Sequence, residues 1–312
     1  MPLSLGFRRS LCVTGDGIGM PLRRIRFFVK RLSYLPALRT PISRLWNTYE
    51  HVRFVYHVRQ NTNPEGSAAK IDPFRLLQVE PEHISRMAGD TFDFISDTGD
   101  VVGGSWDQNF EPMAEYTLYE LFEERFCEGV SWDQTEYYDR VIDKIRRGDS
   151  IRYATVKELE EKLSLYEQIY EAFEGGEYNL QSELAEDGRT GVPGDGGYTL
   201  FPSLMDQSLV RHEIAVNVGR NGRLLLNDGR HRVCLALVAG LDSIPVRIVV
   251  RHEEWQDLRK EIARTIDEAL EADYRDVHEY VQKTLENDLE GVFLGLDHPD
   301  IEIIFERRLP AR

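Results

Sequence analysis

Cysteine is scarce: the 312 residues hold three, Cys12, Cys127 and Cys234. An odd count without metal-type spacing argues against a disulfide framework or a cysteine-held metal, and the expected setting is reducing and cytoplasmic. Long apolar runs are missing too. No segment approaches the ~18 apolar residues of a membrane-spanning helix. Leu11-Cys12-Val13, soon interrupted by Gly15, Asp16, Gly17 and Gly19, is too short for a secretion signal. Positive charge is outweighed: 38 Lys and Arg against 54 Asp and Glu leave a net charge of −16. That excludes a protein whose whole surface grips nucleic acid.

The charge is unevenly spread. Residues 1–60 carry +9, residues 61–252 carry −16 and residues 253–312 carry −9. With 41% apolar and 29% charged residues the composition is globular, and the length suffices for a large core. Gly15-Asp16-Gly17-Ile18-Gly19 lacks the spacing of a dinucleotide loop, so residues 1–20 are expected to be a poorly structured leader. From Leu22 to Leu35 apolar residues at helical spacing alternate with Arg23, Arg24, Arg26, Lys30 and Arg31. Such a basic amphipathic helix packs on the acidic body of its own chain, or lies on an acidic membrane surface or partner. A polar linker follows over Asn61–Ser67.

Further on, Phe74–Val79 has strand character, and Pro81 marks a helix start. Periodicity predicts helices over 116–126, 135–146 and 156–173, their aromatic stripes belonging to the core. A Gly- and Asp-rich surface loop is expected over 186–197. Ile214, Val216 and Val218 alternate as in a strand, Asn221-Gly222 marks a hairpin turn, and Leu224-Leu225-Leu226 returns. Arg230–Ala239 reads as a helix apolar almost all round, capped by Gly240, before a buried strand from Ile244. Residues 253–290 predict acidic helices, and Ile301–Phe305 a late strand.

Between the hairpin and the buried helix lies Asn227-Asp228-Gly229-Arg230-His231-Arg232. A helix N-terminus has unpaired N–H groups and the positive end of the dipole. Gly229 permits close backbone approach, Arg230 and Arg232 fork onto phosphate oxygens, and His231 adds a donor or base. Asn227 and Asp228 are expected to cap the helix. Two arginines at a helix N-terminus oppose its dipole unless an anion or a carboxylate compensates, which points to an anion site.

These residues carry a resemblance. Leu165-Tyr166-Glu167-Gln168-Ile169, Gly176, Ile214–Val218, Asn221-Gly222, Asn227–Arg232, Ala236, Gly240-Leu241 and Ile244-Pro245-Val246 follow the order of the ParB/sulfiredoxin-like superfamily, the ParB-like nuclease domain fold. The resemblance implies a mixed α/β (α+β) core over 67–252 with a helical insertion at about 90–155. A basic N-terminal extension would occupy 1–66 and an acidic helical extension 253–312. It also implies that nucleotide phosphates, or a nucleic-acid backbone, sit on the loop. Arg230 stands where sulfiredoxins carry a reactive Cys, and the Gly-Glu-Arg-Arg of chromosome-partition proteins is absent. The loop is most similar to the Asp-Gly-His-His-Arg type of kinases acting on free serine, differing only at Arg230.

That resemblance implies ATP or ADP (or CTP), Mg2+ and a small-molecule acceptor. Asp228, His231 and Glu80 are then the candidate catalytic groups, and Asn227, Gly229, Arg230, His231 and Arg232 the nucleotide contacts. Glu80 has a second reading as a solvated helix-start carboxylate. Arg251-His252 either reaches the same crevice or forms an exposed strand end, and Gly103–Asp107 either lines the site or anchors the insertion through Trp106. The competing reading is a non-catalytic DNA- or protein-binding module of the same fold, with residues 1–60 as its cationic contact.

Overall fold

The hairpin forms where alternation and turn chemistry agree. Strand β5 (Ile214–Val218) and strand β6 (Leu224–Asp228) pair antiparallel. Gly222, at φ +86°, closes the turn, donating its N–H to the Gly219 carbonyl at 3.0 Å. The computed structural model describes residues 72–87, 92–94, 96–149, 153, 155–186 and 209–309, with a few isolated positions before residue 71. The leader expected over 1–20, the basic helix over 22–35, the 61–67 linker and nearly all of the 186–197 loop lie outside these residues.

Around the hairpin a seven-stranded mixed sheet assembles in the order β1 (Leu77–Val79), β7 (Ile244–His252), β5, β6, β2 (Ile84–Met87), β4 (Phe110–Pro112). Strand β3 (Val101–Val102) also pairs with β7, parallel. Arg251 meets Val218 on one side and Val101 on the other, so β3 shares the β1 edge of β7. Strand β5 is parallel to β7 and antiparallel to β6, a relation that decides where the site lies.

Eight α-helices are present among the described residues. Helices α1 (Thr117–Phe126), α2 (Glu136–Arg147) and α3 (Val156–Glu174) fall close to the ranges their periodicity predicts. Thr135 and Thr155 cap α2 and α3 by accepting from Tyr138 and Glu158 N–H groups. Helix α4 (Gln181–Glu186) precedes the hairpin, and α5 (Arg230–Ala239) follows it. Helix α5 is sandwiched between the sheet and α1 and α3, with Val233, Cys234, Leu235 and Ala236 wholly buried. Burying each Val or Leu fully contributes about 1.5–3 kcal/mol.

The segment over 90–155 is more than a helical insertion, because β3 and β4 complete the sheet and α1 packs on α5. The C-terminal segment likewise joins the main core through α6 (Glu253–Glu271), α7 (Val277–Thr284) and α8 (Pro299–Arg308). The strand expected at Ile301–Phe305 is therefore a helix. Pro299 at the first turn, a His298 cap, Asp300 and Glu302 early and Arg307 and Arg308 late all favour helix, and they outweigh the β-branched pattern. At its start Asp300 receives two bonds from Arg251 (2.8 and 2.6 Å), one from Trp255 Nε1 (2.9 Å) and an ion pair with Arg259 (3.1 Å). Burial works to raise the Asp300 carboxyl, but the two guanidiniums outweigh it and hold it well below the usual carboxylate range.

Candidate functional site

Strand β6 must become helix α5 within one residue, and Gly229 makes that possible. Its φ of +95° is left-handed, and a Cβ there would sit 3.0 Å from Ile214 Cγ1 and 3.1 Å from Ile214 Cα. Gly229 is the N-cap, and it offers no side-chain cap. Asn227 and Asp228 are thus not the caps their residue types suggest. Asn227 instead donates to the Phe92 carbonyl at 2.9 Å. The uncapped N-terminus of α5 faces a cleft of about 670 Å³.

Arg86, Lys162 and Arg230 line this cleft together with Tyr116, Tyr153, Asn227, Asp228, Gly229 and His231. Three cations therefore meet one carboxylate. Arg230 is exposed and bonds the Tyr116 hydroxyl at 3.3 Å, and among the described residues it makes no ion pair. Arg86 pairs with Glu111 on β4 and lies 4.9 Å over the Tyr116 ring. Lys162 Nζ stands 4.8 Å over the Tyr166 ring, and His231 stacks on Tyr166 at 5.1 Å and 17°. Asp228 lines the cleft as an exposed residue, and its carboxylate makes no hydrogen bond or ion pair among the described residues.

A second cavity of about 470 Å³ lies beyond the same turn, sharing Lys162, Asp228, Gly229 and His231 with the first. Arg232 lines this one but is already engaged. It donates to Tyr178 Oη and Glu213 Oε2, both at 3.0 Å, and to the His212 carbonyl. Burial raises the Glu213 carboxyl and Arg232 offsets this in part. One of the two N-terminal arginines is thus compensated by a carboxylate, while Arg230 still faces open space. Arg232 acts by holding the first turn of α5 against the entry to β5.

Strand direction removes Arg251 and His252 from the crevice. Asp228 pairs with Ala215, which pairs with Arg247, whereas Val218, at the other end of β5, pairs with Leu224 and Arg251. Both residues are buried there, not exposed: Arg251 on Asp300, and His252 Nε2 at 2.9 Å from the Gly104 carbonyl. The Gly103–Asp107 turn belongs to that end too, with Asp107 bonded to Arg220 and Trp106 packed edge-on to Phe92 at 5.0 Å. Glu80 follows β1 as a solvated residue 3.4 Å from His83 and lines neither cavity.

The turn residues Asp228, Gly229, Arg230 and His231 are brought together as their spacing implies. Missed were Arg86, Tyr116, Tyr153, Lys162 and Tyr166, which arrive from three distant segments. Lys162 and Tyr166, one helical turn apart on α3, carried the only local signal. Among the described residues no group of three or more His, Cys, Asp or Glu is placed to hold a metal ion. The donor set, one carboxylate among cations, does not fit a protein-held Mg2+. Comparison with family models, curated proteins and solved structures yields no match, so the reading of the site rests on its own chemistry.

Proposed function

We propose that the chain has a ParB/sulfiredoxin-like core and binds the phosphates of a nucleotide at the Asp228–Arg232 loop, for transfer to a small-molecule hydroxyl. The observation that carries the reading is the convergence of Arg86, Lys162 and Arg230 with the uncapped N-terminus of α5 on one cleft. The order of hairpin, glycine turn, buried helix and buried strand supports the fold.

Transfer rests on Asp228 and His231, which border both cavities. An acceptor oxygen attacks the terminal phosphorus, the new O–P bond forms as the bond to the bridging oxygen breaks, and the acceptor proton passes to the Asp228 carboxylate. Arg230 and Lys162 hold the phosphate charge, and His231, set by its stack on Tyr166, donates to a phosphate oxygen.

Calorimetry of the full chain with ATP, ADP and CTP, with and without Mg2+, tests the binding. At least one binds, and Arg230→Ala weakens it about tenfold or more, the ~1.5–3 kcal/mol of a charge-assisted hydrogen bond. Absence of binding by all three, or binding indifferent to Arg230, refutes the reading.

A further inference from the structure

We infer that the second cavity, beyond the Gly229 turn from the cationic cleft, is the nucleobase site, so that one nucleotide straddles the turn with its phosphates on one side and its base on the other. This rests on the proposal that the cleft takes the phosphates. Continuity is the first argument: Lys162, Asp228, Gly229 and His231 line both spaces, so a single ligand crosses the turn without leaving the protein surface.

Charge is the second argument. The cleft adds Arg230, which makes no ion pair among the described residues, to the Lys162 that both spaces share, whereas the further charges of the second cavity are spent within the protein. Arg232 is neutralised by Glu213, 2% exposed. His212 is held neutral, its pKa pushed down to about 3 by burial and then by the Arg211, Arg247 and Arg232 cations. A charged acceptor such as a free amino acid would find no counter-charge there except Asp228 and Lys162 at the rim. A neutral heteroaromatic ring finds what it needs. Leu165, Ile169, Phe173 and Tyr178 give apolar and aromatic walls, and the carboxamides of Gln168 and Asn179 offer donors and acceptors to a ring edge. The volume, about 470 Å³, falls in the ~300–1,000 Å³ range of small-molecule pockets.

The test compares ATP, inorganic tripolyphosphate and adenosine by calorimetry on the full chain and two variants. Ala172→Trp fills the cavity from α3 without touching the cleft, and Gln168→Ala removes an exposed lining amide. The expected result is that ATP binds at least about tenfold tighter than tripolyphosphate. Ala172→Trp erases that advantage and Gln168→Ala reduces it, while both leave tripolyphosphate binding unchanged. Tripolyphosphate binding as tightly as ATP, or ATP affinity indifferent to both variants, overturns the base site and leaves the phosphate reading standing. Adenosine binding that Gln168→Ala weakens, with no tripolyphosphate binding, keeps the base site and overturns the phosphate reading. Binding by none of the three overturns the base site, and absence of CTP binding as well overturns the phosphate reading with it.

Discussion

Replacing Gly229 with Ala tests whether the turn is held by close approach as well as by backbone conformation. At φ +95° any L residue is strained, by roughly 1–2 kcal/mol. The added Cβ also meets the Cα of Ile214 at 3.1 Å, and that contact cannot swing aside because it belongs to β5 in mid-sheet. Overpacking of this kind costs about 1–3 kcal/mol, which brings the total to about 2–5 kcal/mol. Gly240, at the other end of the same helix, is the internal control. Its φ is +70°, but a Cβ there has nothing within 4 Å. Gly240→Ala should therefore cost only about 1 kcal/mol, the strain less a small gain from a stiffer unfolded chain. Urea unfolding followed by circular dichroism measures both, and a melting shift of about 2–4 °C per kcal/mol gives an independent check. The same two variants separate in calorimetry: Gly229→Ala weakens tripolyphosphate because the N–H groups of α5 are re-aimed, and Gly240→Ala does not. Equal losses of stability for the two variants would refute the close-approach argument.

The remaining expectations concern the buried charges. Asp300→Asn leaves Arg251 and Arg259 buried without their carboxylate and should cost about 3–5 kcal/mol in denaturant unfolding, while nucleotide binding at the far end of β5 persists in the folded fraction. Glu213→Gln removes the partner of Arg232 and should destabilise the fold and loosen the loop, with tripolyphosphate affinity falling less than in Arg230→Ala. Stability should fall on mild acidification. His298, pushed down to about 4 by burial, stays neutral in the fold, while its unfolded counterpart protonates below about 6.5. Its stabilisation, ~3 kcal/mol, is therefore complete above pH 6.5 and is lost progressively as pH falls toward 4. His212 adds loss of the same sign down to about 3. Asp100, raised to about 6 by burial and then by Asp97, works in the opposite sense, favouring the fold below pH 3.8 and losing that contribution as pH rises through 6. The two histidine shifts outweigh Asp100 and the smaller upward shifts of Glu213 and Glu302, which act in the same sense as Asp100, so melting temperature should decline between pH 6.5 and 4; a flat or rising profile would contradict the burial argument.

The local chemistry of the sequence determined the hairpin, the glycine turn and the boundaries of α1, α3 and α5. Each is a matter of neighbours: Asn221-Gly222 closes a hairpin, and an all-round apolar helix has to be buried. The same letters placed Asp228, Gly229, Arg230 and His231 at one helix N-terminus, because four consecutive residues cannot part company. Tertiary structure alone decided which distant residues face them. Arg86 reaches the cleft because β2 runs parallel to β6, and Lys162 because α3 packs on α5. Arg251 and His252 fail to reach it because β7 runs antiparallel to β6, a direction no local pattern encodes. The two arginines of the loop make the contrast plain. Their cost at a helix N-terminus was legible from the dipole, but that Glu213 relieves Arg232 while Arg230 stays open to a ligand depended on which carboxylate the fold brought near.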